Sequence, residues 1–264
     1  HAVWLLGGAD PEDALSVFRA ARAETALEKA PVVCADGGAA LARRAGVDPV
    51  AVIGDFDSLS DEDRAAIDPA RLHHIPEQET TDFDKALSRV RAAVVLGVGF
   101  TGGRVDHQLA VMTGLARHPD RPCILIGEED VICLCPPRLR LDLAPGSRLS
   151  LYPLAEVEGR STGLDWPIDG LAMRPDGRIG TSNRVSGGTV SLTMAAPAML
   201  LILPRPALRP LLAGLSRSDA RWPARAGCRA SARVAERPIR PNRTPAGTGP
   251  RARAAAPGSP VGPC

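Results

Sequence analysis

Ala51-Val52-Ile53-Gly54-Asp55-Phe56-Asp57-Ser58 is the stretch on which the reading of this chain turns. Three apolar residues, two of them β-branched, predict a buried strand, and Gly54 ends it without a side chain. Asp55 and Asp57 follow at i and i+2, a spacing that in extended backbone sends both carboxylates to one side. Two like charges held that close repel unless a cation lies between them, and hard carboxylate oxygens suit Mg²⁺. A solvated Asp-Ser turn after a strand is the bland alternative, so the neighbouring segments have to decide.

On the N-terminal side, residues 3–6 read as a strand closed by Gly7-Gly8, and a helix runs from Pro11 to about Glu24 with Asp10 as its N-cap. A strand at 32–35 leads through Asp36-Gly37-Gly38 into an Ala-rich helix ending near Ala45. On the C-terminal side come an acidic helix from Ser60, a short strand near 72–75 and a helix at 81–91, where Thr81 and Asp84 have capping-box spacing. A strand at 94–98, a loop at 99–106, a helix at 107–117 and a strand at 124–126 complete the alternation. Strands alternating with helices at this spacing predict an α/β fold with a doubly wound, mostly parallel sheet, which binds ligands beyond the carboxyl ends of its strands. From about Cys133 to Pro204 the helical period disappears and short alternating strands take over, predicting a small all-β sandwich domain. The expected division is 1–132, 133–204 and a tail at 205–264.

Charge is divided along the same lines. Residues 205–264 hold twelve Arg, ten Pro and two acids, a net of +10, which leaves −8 for residues 1–204. The tail lacks periodicity and is expected to be disordered. It carries little aromatic interleaving, so no nucleic-acid partner is expected. The six cysteines form no CxxC pair; four lie in or beside apolar runs and read as buried thiols of a reducing, cytoplasmic compartment. No apolar run reaches the ~18 residues of a membrane span, and no secretory leader is visible. The chain opens at His1, which suggests trimming or an incomplete start.

The residues with chemistry gather at one predicted edge. Gly37 and Gly38 open a helix N-terminus where backbone N–H groups can approach an anion, although such turns also arise for steric reasons. Gly102-Gly103-Arg104 joins a permissive backbone to a fork-shaped cation suited to phosphate, and Asp106-His107 follows. Asp106 could equally be a helix cap and His107 a surface residue. Asp82 and Lys85 lie three apart on one helical face, as in a surface ion pair, yet Asp82 also joins Asp55 and Asp57 at adjacent strand ends. With neither a P-loop nor a GxGxxG run present, carboxylates for a metal, glycines and one Arg suit phosphoryl or pyrophosphoryl transfer.

Taken in order, DGG (36–38), GDFDS (54–58), Thr81-Asp82 with Lys85, GGR (102–104) with Asp106-His107, and the segments 163–167 and 180–183 resemble the thiamine pyrophosphokinase family. The resemblance covers roughly residues 3–204. It implies an α/β nucleotide-binding catalytic domain and a thiamine-binding β-sandwich acting as a homodimer, with the thiamine site near the subunit interface. It implies transfer of the pyrophosphoryl group of ATP to thiamine with Mg²⁺. Asp55, Asp57 and Asp82 match the metal and catalytic carboxylates, joined by Asp106. Asp36, Gly37, Gly38, Thr81, Lys85, Gly102, Gly103, Arg104 and His107 match the nucleotide side; Trp166, Ser182 and Asn183 match the thiamine side.

The chain departs from the family at Gln78-Glu79, where Lys-Asp is more usual, at the Gly7-Gly8 turn, and in its Arg-Pro tail. Two rival readings stand beside this one. A non-catalytic homologue would keep the nucleotide or thiamine pocket alone. A haloacid-dehalogenase-like phosphatase would use Asp55-Phe56-Asp57 as its DxD motif, but Leu59 stands where that family places Thr or Val, and the β-rich half is left unexplained.

Overall fold

The computed structural model describes residues 1–8 and 11–225. Asp10, Cys228 and Cys264 lie outside the described residues, as does 226–264 of the tail.

The first half alternates as its hydrophobic pattern predicts. Strands β1 (Ala2–Leu6), β2 (Val32–Ala35), β3 (Ala51–Gly54), β4 (Leu72–His74), β5 (Val94–Val98) and β6 (Cys123–Ile126) are separated by helices α1 (Pro11–Thr25), α2 (Gly38–Ala45), α3 (Asp61–Ala66), α4 (Asp82–Arg89) and α5 (Val105–Arg117). All six strands pair in parallel, in the order β6-β5-β1-β2-β3-β4. Their side chains alternate between two buried clusters. Trp4, Leu6, Val32, Cys34 and Val52 meet α1 and α2 on one face, where Phe18 and Leu41 are buried. Val3, Leu5, Val33 and Ile53 meet α4 and α5 on the other, against Phe83, Leu87, Val111 and Leu115. Strands apolar on both faces need helices on both, so the sheet is doubly wound.

Beyond β6 the chain turns antiparallel. Strands β7 (Asp130–Leu134), β8 (Arg138–Asp142), β9 (Arg148–Pro153), β10 (Gly159–Thr162), β11 (Gly180–Arg184), β12 (Thr189–Met194) and β13 (Met199–Pro204) follow with no helix among them. Four of these extend the parallel strands into one ten-stranded sheet, β11-β9-β13-β7-β6-β5-β1-β2-β3-β4. The other three make a separate sheet, β10-β12-β8, whose Leu139, Leu141, Val190 and Leu192 share a buried cluster with Leu149, Leu151, Leu201 and Leu203 of the large sheet. The expected boundary at 132/133 therefore falls inside β7, a strand hydrogen-bonded to β6 on one side and β13 on the other.

The tail departs from expectation at its start. Residues 208–217 form α6 (Leu208–Arg217), which buries Leu208, Leu211 and Leu215. Gly214 is the contact point: a Cβ there would stand 2.6 Å from Leu141 and 2.8 Å from the Arg140 carbonyl on β8. Trp222 then donates its indole N–H to the Cys135 carbonyl at 2.8 Å. Disorder was expected from the Arg and Pro content, but leucines at i, i+3, i+4 and i+7 give an apolar stripe that outweighs composition. Among the described residues no helix is long and apolar enough to cross a membrane, and Cys34, Cys123, Cys133 and Cys135 are buried free thiols.

Candidate active site

Four loops at the carboxyl edge of β2 to β5 carry the residues singled out from the sequence. Asp36 follows β2 directly. It is 1% exposed and takes up a left-handed φ of 39°. Its amide bonds to the Ile53 carbonyl, and its Oδ2 accepts from the Ser58 amide at 3.0 Å. Its Oδ1 is buried with no hydrogen-bond partner. Burial raises this carboxyl to about 7; the Ser58 amide works against the rise, while the charge of Asp82 and the close side chain and charge of Asp57 add to it. Gly38 has a steric reason to be glycine, because a Cβ there would lie 2.0 Å from the Leu6 carbonyl. Gly37, beside Gly8 and Ser58, begins the helix without a side-chain cap.

Asp55 and Asp57 converge, but not through extended backbone. Phe56 between them has φ 67°, so the segment is a left-handed turn. The carboxylates of Asp36, Asp55 and Asp57 each offer an oxygen within 4.8 Å of the others. The expected trio contained Asp82 instead. Asp82 stands beside this group at the start of α4 and is paired with Lys85. Gly54 keeps the crowd possible: a Cβ there would lie 2.7 Å from the Asp36 Cβ and 3.1 Å from Asp82 Oδ1.

Lys85 was expected on the nucleotide side. The residue is buried, at 2% exposure, and its ammonium donates to Asp55 Oδ2 at 2.7 Å and Asp82 Oδ1 at 3.2 Å. Gln78 Nε2 also donates to Asp55 Oδ2, at 2.9 Å. Burial pushes Asp55 up, but bonds from Lys85, the Asp57 amide and Gln78 outweigh it and bring the carboxyl down to about 2. Burial raises Asp82, with Lys85 opposing and the charges of Asp55 and Asp57 adding. Neighbouring carboxylates with affinities for protons driven apart are a mark of functional sites. Thr81 caps α4 as its spacing predicts, its Oγ1 accepting from the Asp84 amide.

The donor set fits a divalent cation. Three carboxylates at ligand spacing form an oxygen-only, anionic group. The buried, unpartnered Asp36 Oδ1 is the independent sign, since such an atom is costly unless something satisfies it.

The loop after β5 holds glycines at positive φ, Gly99 at 79°, Gly102 at 87° and Gly103 at 66°, the last two with open space where a Cβ would be. Arg104 does not reach the carboxylate group. It grips Asp106 with both arms, at 2.6 and 3.1 Å, and both residues are exposed. The helix begins at Val105, two residues earlier than expected, so Asp106 lies inside its first turn and is not the cap; His107 is exposed next to it. Beside this loop a cleft of about 290 Å³ opens, lined by Thr101, Gly102, Gly103, Gln108, Glu128 and Glu129 among others. It stands at the ends of β5 and β6, across β1 from the acidic group, where the strand order reverses.

Trp166, Ser182 and Asn183 form a second centre. Asn183 is buried, and its amide is taken up by the chain around Trp166: Nδ2 donates to the Trp166 carbonyl at 2.7 Å, while Oδ1 accepts from the Trp166 and Arg184 amides. Trp166 is 59% exposed, with the Arg184 guanidinium 5.8 Å from its ring centroid. Ser182 has φ 59° at a register shift in β11. This centre lies at the β11 end of the sheet, eight strand positions from β3. At about 4.8 Å per strand that is roughly 38 Å.

Comparison with known proteins matches this geometry to a family. The model described as Thiamin pyrophosphokinase, catalytic domain, matches residues 23–125, a span containing every carboxylate of the first centre. Thiamine pyrophosphokinase 1 of Arabidopsis thaliana is 29% identical over 190 residues, covering 58% of this chain and 70% of the plant protein. Thiamine pyrophosphokinase 2 of the same plant is 31% identical over 125 residues; these cover 41% of this chain and 47% of that relative, about half its length. Among solved structures, thiamin pyrophosphokinase from Geobacillus thermodenitrificans aligns with a TM-score of 0.62, over 77% of this chain and 97% of that one. At its 23% identity the likeness is one of fold.

Proposed function

We propose that the chain, whose residues 23–125 match the thiamin pyrophosphokinase catalytic-domain model, is a member of that family and transfers the β,γ-pyrophosphoryl group of ATP to the hydroxyethyl oxygen of thiamine, releasing AMP. The observation that carries this reading is the buried, unpartnered oxygen of Asp36 within a three-carboxylate group at the carboxyl edge of the sheet. Asp36, Asp55 and Asp57 would hold Mg²⁺, with Asp82 beside them. Bound there, the ion would supply Lewis-acid stabilisation of charge developing on phosphate oxygens.

The rest of the work falls to the protein. A primary alcohol is a weak nucleophile, so it must be aligned with the β-phosphorus and kept there. Lys85 fixes Asp55 and Asp82 by donating to one oxygen of each. The cleft beside Gly102 and Gly103 is the place for the nucleoside, and Arg104 takes phosphate once it exchanges Asp106 for that partner. The exposed Trp166 indole offers a face to a flat cationic ring.

Since β11, which holds the Trp166 segment, lies eight strand positions from β3 in the sheet, roughly 38 Å across it, one thiamine cannot touch both centres within a single chain. We infer a homodimer in which each thiamine lies between the carboxylates of one subunit and the Trp166 segment of the other. Support comes from apolar side chains left uncovered: Val105 and Leu109 on α5 and Tyr152 on β9 are exposed, and Ile132 and Ile202 are half-buried. Residues 1–132 would then serve as the nucleotide-binding unit and 133–204 as the thiamine-binding unit, sharing one sheet. The four buried thiols fit a cytoplasmic setting.

The test is AMP release from ATP and Mg²⁺ with and without thiamine. Thiamine-dependent AMP formation is the expected result. ADP or free phosphate as product would overturn the reading, and thiamine binding without turnover would make the protein a non-catalytic homologue.

A further inference from the structure

The turn that carries Asp55 and Asp57 adopts a conformation its own sequence disfavours. Phe56 sits at φ 67°. Glycine visits that region freely and Asn tolerates it, but a bulky L-residue is strained there. Such strain persists only where the surroundings over-determine the conformation.

Two side chains from separate elements meet the Phe56 ring. His74, the last residue of β4, places its ring centroid 5.3 Å away with the planes inclined by 31°. Arg64 of α3 holds its guanidinium carbon 5.6 Å from the ring centroid. Both positions are set independently of the turn. His74 is the register partner of Gly54, and the next amide, of Ile75, donates to the Gly54 carbonyl at 2.7 Å. Helix α3 is capped by Ser60 and tied to α2 through Asp63 and Arg43 at 2.6 Å. Neither His74 nor Arg64 has a hydrogen bond or ion pair to Asp36, Asp55 or Asp57 among the described residues.

We propose that His74 and Arg64 clamp the Phe56 ring and thereby hold the left-handed turn that converges Asp55 and Asp57 on a divalent cation. The three are positioning residues. With the clamp removed, residue 56 relaxes toward negative φ, and because it lies between the two aspartates this swings one carboxylate away from the other. The proposal rests on the reading that Asp36, Asp55 and Asp57 bind a divalent cation, and it adds how the chain keeps that set assembled.

The experiment follows Mn²⁺ uptake by the full chain, read as loss of the free ion's electron paramagnetic resonance signal. Mn²⁺ shares the preference of Mg²⁺ for oxygen ligands. In H74A/R64A the apparent Kd rises by roughly fivefold, the scale of a local strain no longer held, while circular dichroism is unchanged. In F56G the turn needs no clamp, so affinity stays within about twofold of the parent and adding H74A/R64A changes nothing further. F56N gives the same relief with a side chain present and is run in parallel, so the outcome does not hang on one variant folding. Unaltered affinity in H74A/R64A overturns the clamp, as does an equal loss in the F56G or F56N background. A parent protein that takes up no Mn²⁺ overturns the cation reading, and the clamp with it.

Discussion

Asp57 is the carboxylate best suited to a clean test, because it is exposed and its side chain accepts from the neighbouring Ser58 hydroxyl at 2.9 Å. Asp57→Asn keeps the shape and removes the charge. Thiamine-dependent AMP formation is expected to fall by about two orders of magnitude or more, with the thermal unfolding midpoint unchanged; unchanged turnover would remove Asp57 from the cation set. At this scale the sequence was readable in its residue types and less so in their geometry. Asp55 and Asp57 meet as their spacing suggested, yet through a left-handed residue that no local pattern announces. The exchange of Asp82 for Asp36 in the cluster was hidden for a different reason. It depends on where Lys85 puts its charge, and that is decided by the packing of α4 on β2 and β3.

Helix α4 owes its placement to more than its N-cap. Asp84 is buried at its first turn, accepts from Thr81 Oγ1 at 3.1 Å, and meets His118 Nε2 at 3.2 Å at the end of α5. Burial raises its carboxyl, but the bond and charge of His118, with Thr81 and Arg117, outweigh this and hold it below the usual range. A carboxyl with a lowered folded-state value contributes stability that is complete above its unfolded value of 3.8 and disappears as pH falls through the lowered one. Asp84→Asn is therefore expected to cost about 1–3 kcal/mol at neutral pH, and to flatten the loss of stability below pH ~4. Urea unfolding across pH checks both. Helix α6 gives a second expectation. Leu211 is wholly buried, so Leu211→Ala costs about 2–5 kcal/mol in the same assay. An unaffected midpoint would mean that α6 is not docked in solution. The strand and helix alternation up to β6 was plain in the sequence because every strand but the short β4 is apolar on both faces. The amphipathic stripe of α6 was equally present, but arginines and prolines around it drew attention away.

At the scale of the molecule, the division of chemistry between the two ends of one sheet makes the oligomer testable by mixing. D57N loses the carboxylate centre and W166A the indole centre, so each homodimer is inactive or severely impaired. After subunit exchange, half the dimers are mixed and each has one intact site, giving ~25% of parental activity if sites form between subunits. No recovery, with exchange confirmed by mass, would place both centres' work within one chain. The sequence disclosed the family resemblance of both halves but not that a single sheet runs through them. Pairing between β7, β6 and β13 is a long-range choice, and the change from helical to strand period near Cys133 looks the same whether a new sheet begins or an old one continues.

The last strand to be made, β13, is inserted between β7 and β9, with β6 beyond β7. A ribosome delivering this chain can release β1 to β6 with their helices as a complete parallel layer. It cannot release β9 or β11 into their final places, because the strand that joins them to that layer has yet to leave the exit tunnel. Synthesis up to residue 198 therefore leaves the second half without its keystone, and arrival of Met199–Pro204 commits the whole sheet at once.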